Sequence, residues 1–181
     1  AGLASDVGYY PINLTGGSDN NYTINNAAGS LLILPANLTV TGNNVSKIYS
    51  DANPALTLKY TGFRNADNAS SIDLEPTVST TAIDSSPAGL YPVTPSGGSD
   101  NNYNFIYIDG TLTVNKAILT ATADNKTKNA GDPNPAFTIS YSGFKNSETK
   151  SVIDTQPTAT TTATSSSPAG TYPITVSGGL D

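Results

Sequence analysis

Ser85-Ser86-Pro87-Ala88-Gly89-Leu90-Tyr91-Pro92-Val93-Thr94-Pro95-Ser96-Gly97-Gly98-Ser99-Asp100-Asn101-Asn102-Tyr103 is the stretch whose reading decides the fold. Its core phrase is Tyr-Pro, a few alternating residues, then Gly-Gly, and Tyr10, Tyr91 and Tyr172 carry that phrase at intervals of 81 residues. A fixed period means one structural unit copied end to end, and this outranks any local motif. The register holds without a gap outward from the phrase. Asn53-Pro54-Ala55 answers Asn134-Pro135-Ala136, Tyr60-Thr61-Gly62-Phe63 answers Tyr141-Ser142-Gly143-Phe144, and Asp19-Asn20-Asn21-Tyr22 answers Asp100-Asn101-Asn102-Tyr103. The frame divides the chain into 1–34, the C-terminal part of a preceding repeat; 35–115, a complete repeat; and 116–181, the N-terminal part of the next, lacking its last strands.

Within each copy the signals are those of short strands. Leu38–Thr41, Leu56–Tyr60, Thr77–Ile83, Tyr91–Thr94, Tyr103–Ile108 and Thr111–Val114 are strand-like, several alternating with period two, as half-buried antiparallel strands do. Leu56, Leu58 and Tyr60 face one way and Thr57 and Lys59 the other, while Phe137, Ile139 and Tyr141 take the inward slots of the next copy. Asp109-Gly110, between two strand patterns, predicts a two-residue hairpin. Six or seven short strands in one period of this length predict an all-β fold of tandem immunoglobulin-like antiparallel β-sandwiches. The phrases Gly89 to Val93 and Gly170 to Ile174 resemble the tyrosine corner of such sandwiches, in which a Tyr hydroxyl ties a strand back to the preceding loop. Strand Thr111–Val114 runs into Lys116-Ala117-Ile118-Leu119-Thr120 almost without spacer, so a semi-rigid rod is expected.

Composition narrows the chemistry. The chain of 181 residues has no Cys, His, Met or Trp. Missing Cys excludes disulfides and thiolate metal sites, and missing His removes the commonest general base. A net charge of −6 with scattered lysines argues against nucleic acid, whose binding needs a basic stripe. No apolar run reaches the roughly 20 residues of a membrane span.

As a set, Lys-Ala-x-Leu-Thr, Asp-x-Asn-Pro-Ala, Tyr-x-Gly-Phe, Ser-Ser-Pro-Ala-Gly-x-Tyr-Pro, Gly-Gly-Ser-Asp-Asn-Asn-Tyr and Gly-Thr-Leu-Thr-Val resemble the MBG-type repeat, found in tandem in large secreted bacterial surface proteins. The family's Tyr-Gly-Asp turn is varied here to Tyr49-Ser50-Asp51 and Ala130-Gly131-Asp132. The resemblance implies an extracellular, cell-surface adhesin stalk and carries over no catalytic, cofactor-binding or metal residue. Partners are then neighbouring repeats or other copies of the chain. A filament subunit is one form of this, with Tyr22 to Leu34 of one chain completing the 116–181 segment of the next head-to-tail by strand complementation. The alternatives are that the Tyr10–Leu34 segment packs on the 35–115 repeat, or that the sequence is a piece of a longer covalent array. The competing function is a glycan- or matrix-protein-binding sandwich. It is kept in play because Arg64–Ser70 and Lys145–Lys150 diverge between copies.

Each chemical candidate meets a simpler reading. A glycosidase needs two carboxylates across a cleft, which Asp73 and Glu75, or Asp51 and Asp67, offer. Yet Asp19/Asp100/Asp181, Asp51/Asp132, Asp67/Glu148 and Asp73/Asp154 recur with the period beside Gly, Asn and Pro, as turn-formers do. No enzyme is expected. Asp19-Asn20-Asn21, Asp100-Asn101-Asn102 and Asp132-Pro133-Asn134 supply hard oxygens for Ca²⁺, against a reading as Asx turns. The Thr160 to Ser167 run has no base to activate it and reads as a strand and turn, or as O-glycan acceptors. Asn-x-Ser/Thr sequons at Asn13, Asn21, Asn37, Asn44, Asn68 and Asn125 match what an Asn- and Thr-rich chain gives by chance. Lys59 and Lys116 are candidates for a Lys–Asn cross-link, which needs a buried lysine, and Tyr9, Tyr10, Tyr49 and Tyr107 for a sugar-stacking platform.

Overall fold

Alternating residues become strand wherever a Gly, Pro or Asx turn bounds them. In the computed structural model, which describes residues 1–179, the strands are β1 (Gly8–Ile12), β2 (Gly29–Ile33), β3 (Ala36–Gly42), β4 (Val45–Ile48), β5 (Leu58–Thr61), β6 (Thr77–Thr80), β7 (Gly89–Ser96), β8 (Tyr103–Ile108), β9 (Gly110–Asn115), β10 (Thr120–Ala123), β11 (Ile139–Ser142), β12 (Thr158–Thr161) and β13 (Ile174–Ser177). Single 3-10 turns stand at Ala69–Ser71 and Lys150–Val152. The chain is all-β, as expected; Asp181, one of the periodic acids, lies outside the described residues.

Two compact units result. The first holds Ala1–Lys47, Asn53–Ala82 and Gly89–Thr113; the second holds Ile48–Ala52, Ile83–Ala88 and the residues from Val114 onward. The N-terminal segment is thus part of the first unit.

In the first unit a three-stranded sheet of order β5-β3-β8 faces a four-stranded sheet of order β4-β9-β7-β6, and β1 and β2 form a separate antiparallel pair. The β3–β5 pair is antiparallel, but β3 and β8 run parallel, Leu38 opposite Phe105 and Val40 opposite Tyr107. Alternate residues point into the space between the sheets. Leu38 and Val40 from β3, Val93 from β7 and Leu112 from β9 are all 0% exposed. Each such side chain contributes about 1.5–3 kcal/mol of burial. Ile72 and Tyr103 extend this core beside Leu38, with Ala36, Tyr60, Phe63 and Phe105 packed around them. Phe63 meets the Tyr103 ring edge-on at 5.7 Å, a favoured aromatic geometry.

The expected Asp109-Gly110 hairpin is not made. β8 belongs to one sheet and β9 to the other, so the chain crosses between layers at Asp109. Gly110 serves a different purpose: a Cβ there would fall on the Gly42 carbonyl oxygen, and one on Gly42 would fall on the Val93 carbonyl oxygen. Close backbone approach, rather than a positive φ, explains this glycine.

The second unit has two antiparallel pairs, β10–β11 and β12–β13, in the register of β3–β5 and β6–β7 one period earlier. Tyr141 and Phe144, 5.8 Å apart, reproduce the Tyr60–Phe63 pair at the same separation.

Candidate functional site

Side-chain chemistry in this chain is spent on fixing loops, and the same bonds recur at the 81-residue spacing seen in the sequence. The hydroxyls of Ser5, Ser86 and Ser167 accept from the backbone N–H of Gly2, Ile83 and Thr164 at 2.7, 2.9 and 2.9 Å. Just after this turn, the hydroxyls of Tyr10 and Tyr172 donate to the carbonyls of Asp6 and Pro168, four residues back, at 2.8 and 3.1 Å. That is the tie expected of a tyrosine corner. Asn53 and Asn134 donate to the Ala82 and Ala163 carbonyls at 2.6 and 2.7 Å.

A cleft is built twice at corresponding positions. In the first unit it is lined by Asp6, Val7, Ala36, Arg64, Asp67 and Ser71, among others. In the second the corresponding wall is Pro87, Ala88, Ala117, Lys145, Glu148 and Val152. The floor of the first is Tyr103, 5% exposed, whose hydroxyl donates to Asp67 Oδ2 at 2.6 Å and accepts from the Arg64 N–H at 2.8 Å. Burial, and then the Asp67 bond, raise its pKa above the ordinary tyrosine value. Asn102 closes the rim: its Oδ1 accepts from the Val7 N–H at 2.9 Å and its Nδ2 donates to Asp6 Oδ1 at 3.1 Å.

In the second cleft Tyr49 donates to Glu148 Oε1 at 2.5 Å and accepts from Asn146 Nδ2 at 3.2 Å. Ser50 Oγ donates to Asn146 Oδ1 at 2.6 Å, and Lys145 pairs with Asp51 at 3.7 Å, both about half exposed. Both clefts are walled by the divergent loops. Arg64–Ser70 and Lys145–Lys150 each turn through two left-handed residues, Asn65 and Ala66 (φ 51 and 67) and Asn146 and Ser147 (φ 48 and 60).

A third feature lies in the second unit, a groove of about 720 Å³ between Lys126–Ala130 and Thr171–Ile174, with Phe137 and Ala163 in its lining.

The acidic candidates Asp73, Asp67 and Asp51 each have a polar partner. Asp73 Oδ2 accepts from the Asn101 backbone and side-chain N–H groups at 3.2 and 3.0 Å, Asp67 holds Tyr103, and Asp51 faces Lys145. Two of the calcium candidates form Asx turns: Asp19 Oδ1 accepts from Asn21 and Tyr22 N–H, and Asp100 Oδ1 from Asn102 N–H, while in the third Asp132 Oδ2 accepts from Asn129 Nδ2 at 3.2 Å. No three His, Cys, Asp or Glu groups converge among the described residues. Lys59 and Lys116 are exposed, whereas a Lys–Asn cross-link needs a buried lysine. The four tyrosines offered as a platform have separate places. Tyr10 makes the corner, Tyr49 the second cleft, Tyr107 donates to the Gly97 carbonyl, and Tyr9 stands exposed on β1. Thr158–Thr161 is strand β12, followed by the serine turn. Sequence reading named Asn102 as a calcium oxygen and Asn44 as a sequon but missed their bonds, and those of Asn146: Asn102 and Asn146 hold the clefts, and Asn44 Oδ1 accepts from Thr111 N–H at 2.8 Å. The Asp-Asn-Asn-Tyr repeat was the signal available for Asn102.

The model of the MBG domain (YGX type) matches the chain at residues 38–113 and again at 119–181. No curated protein and no solved structure matches it.

Proposed function

The chain belongs to the MBG domain (YGX type) family, and on that premise we propose that it is a non-enzymatic structural repeat module of an extracellular bacterial surface protein, serving as adhesin stalk. The observation that carries this is where the polar side chains go. Hydroxyls and carboxylates bond the backbone of their own turns, and the Asn53 and Asn134 amides tie to a distant backbone carbonyl, in the same places in successive copies. A repeat selected to hold its shape needs such bonds in every copy, whereas a binding or catalytic module needs them at one site.

Single-molecule stretching of the chain between two handles tests the reading. A stalk module gives a discrete unfolding event for the 38–113 match, with a contour gain of about 3.3–3.6 Å per residue released. Featureless extension would sink it. A second reading is kept alive by the divergent loops that wall both clefts: Arg64 and Lys145 there would contact an acidic glycan or matrix protein. Capture on a glycan array, lost in Lys145→Ala, would favour it.

A further inference from the structure

The first copy shows what belongs in the groove of the second. β9 there lies between β4 and β7. One period later the positions of β4 are 126–129 and the positions of the first half of β7 are 170–173, and neither stretch is strand. These are the two stretches that wall the groove. The second half of β7, which pairs with β6, is matched by β13, which pairs with β12 and is strand. Strand is therefore missing in the second copy at the places where β9 supplies the partner in the first.

A segment of the β9 kind is present elsewhere in the chain. Gly29-Ser30-Leu31-Leu32-Ile33 holds the positions of Gly110-Thr111-Leu112-Thr113-Val114. Leu112 and Val114 are 0% and 2% exposed, but Leu31, in the same slot as Leu112, is 46% exposed. Among the described residues β2 is paired on one edge, to β1, in a two-stranded sheet. Isolated two-stranded hairpins are marginal in water, so opening this one costs little. A strand seated between two partners gains main-chain bonds on both edges and buries its inward leucine.

We propose that the groove between Lys126–Ala130 and Thr171–Ile174 is a strand-acceptor site, and that it takes β2 of a second copy of this chain, by exchange of β1 for the segment around β13. The contact is heterologous, so copies join head to tail and the assembly stays open. The β1–β2 register places Leu32 opposite Tyr9. Two periods on, Tyr9 is matched by Thr171, so Leu32 of one copy lies opposite Thr171 of the other. The inference concerns how a unit is completed and holds whether the array is stalk or binder.

The chain has no Cys, which makes the test clean. Leu32→Cys and Thr171→Cys variants of the full chain, mixed under mild oxidation, are expected to give a disulfide-linked heterodimer. Leu32→Cys with Ser177→Cys is the off-register control and gives little. Sedimentation of the unmodified chain is expected to show association that grows with concentration. Leu31→Glu should weaken it at least about tenfold while keeping the β-sheet circular dichroism, because Leu31 is already half exposed in the hairpin. A peptide of residues 22–35 should compete. A monomer at every concentration that nonetheless binds the peptide overturns the second copy as occupant. A monomer that ignores the peptide overturns the acceptor site itself.

Discussion

Ser50 and Gly131 occupy the same slot of the turn that varies between copies, and both have positive φ, 72 and 92. The Asp51 and Asp132 N–H groups close it onto the Ile48 and Asn129 carbonyls. The turn survives the loss of glycine at the cost of a strained serine, which its Oγ bond to Asn146 offsets in part. Ala66 has the same strain with no side-chain bond to offset it. Ala66→Gly should therefore stabilise the first unit by about 0.5–1 kcal/mol, the left-handed penalty less glycine's extra unfolded-state entropy. A higher denaturation midpoint with unchanged m-value checks this. Gly110→Ala should do the opposite, costing upwards of about 4 kcal/mol, because the neighbour that must move is the Gly42 backbone. Loss of cooperative unfolding is the expected readout. The sequence showed that Gly110 recurs in the β9 phrase; that it guards a backbone contact between sheets was legible only once both strands were in place.

At the scale of the element, β10–β11 depends on a polar clasp. Asp124, just beyond β10, accepts from Ser140 Oγ at 2.5 Å and from Thr138 Oγ1, and its N–H donates to the Thr138 carbonyl at 3.0 Å. The Ser140 bond first, then the Thr138 bond, hold its carboxyl below the usual carboxylate range. A lowered folded pKa contributes stability that is present above the unfolded value, about 3.9, and is lost as pH falls through the folded one. The hydrogen-exchange protection factors of the β10–β11 amides should thus fall on acidification below about pH 4, and this step should vanish in Asp124→Asn. The group is exposed, so the change is confined to the hairpin. β4 marks the limit of reading elements from sequence. Val45-Ser46-Lys47-Ile48 has too little alternation to be found, and becomes strand because it is β9's neighbour in the sheet.

For the whole molecule, the two units differ in core. The fully buried Leu38, Val40, Val93 and Leu112 all lie in the first, whereas Ala163 is 9% exposed and is the buried apolar residue of the 119–181 match among the described residues. Native-state hydrogen exchange should show the slowest amides in β3, β7 and β9, with β10–β13 opening at lower free energy. Tyr103, Tyr60 and Tyr107 all have pKa values raised by burial. The unfolded chain therefore loses these protons first, so the first unit should lose stability as pH rises past about 10, with Tyr103→Phe flattening that slope. That variant also leaves the Arg64 N–H and Asp67 without their bond, at about 1–3 kcal/mol. The sequence by itself determined the period, the all-β class, the strands with clear alternation, the tyrosine corner at Tyr172 and the turn role of Asp19 and Asp100, whereas Asp51, Asp67 and Asp73 reach partners distant in the chain. Each feature so determined depends on residues close in the chain, or on copies compared in register. The tertiary structure alone decided the parallel β3–β8 pairing, the crossing at Asp109, the Gly42–Gly110 approach and the groove beside β13. Each of those is set by which distant backbone comes alongside, and main-chain hydrogen bonds carry no residue signature by which a sequence could announce their partner.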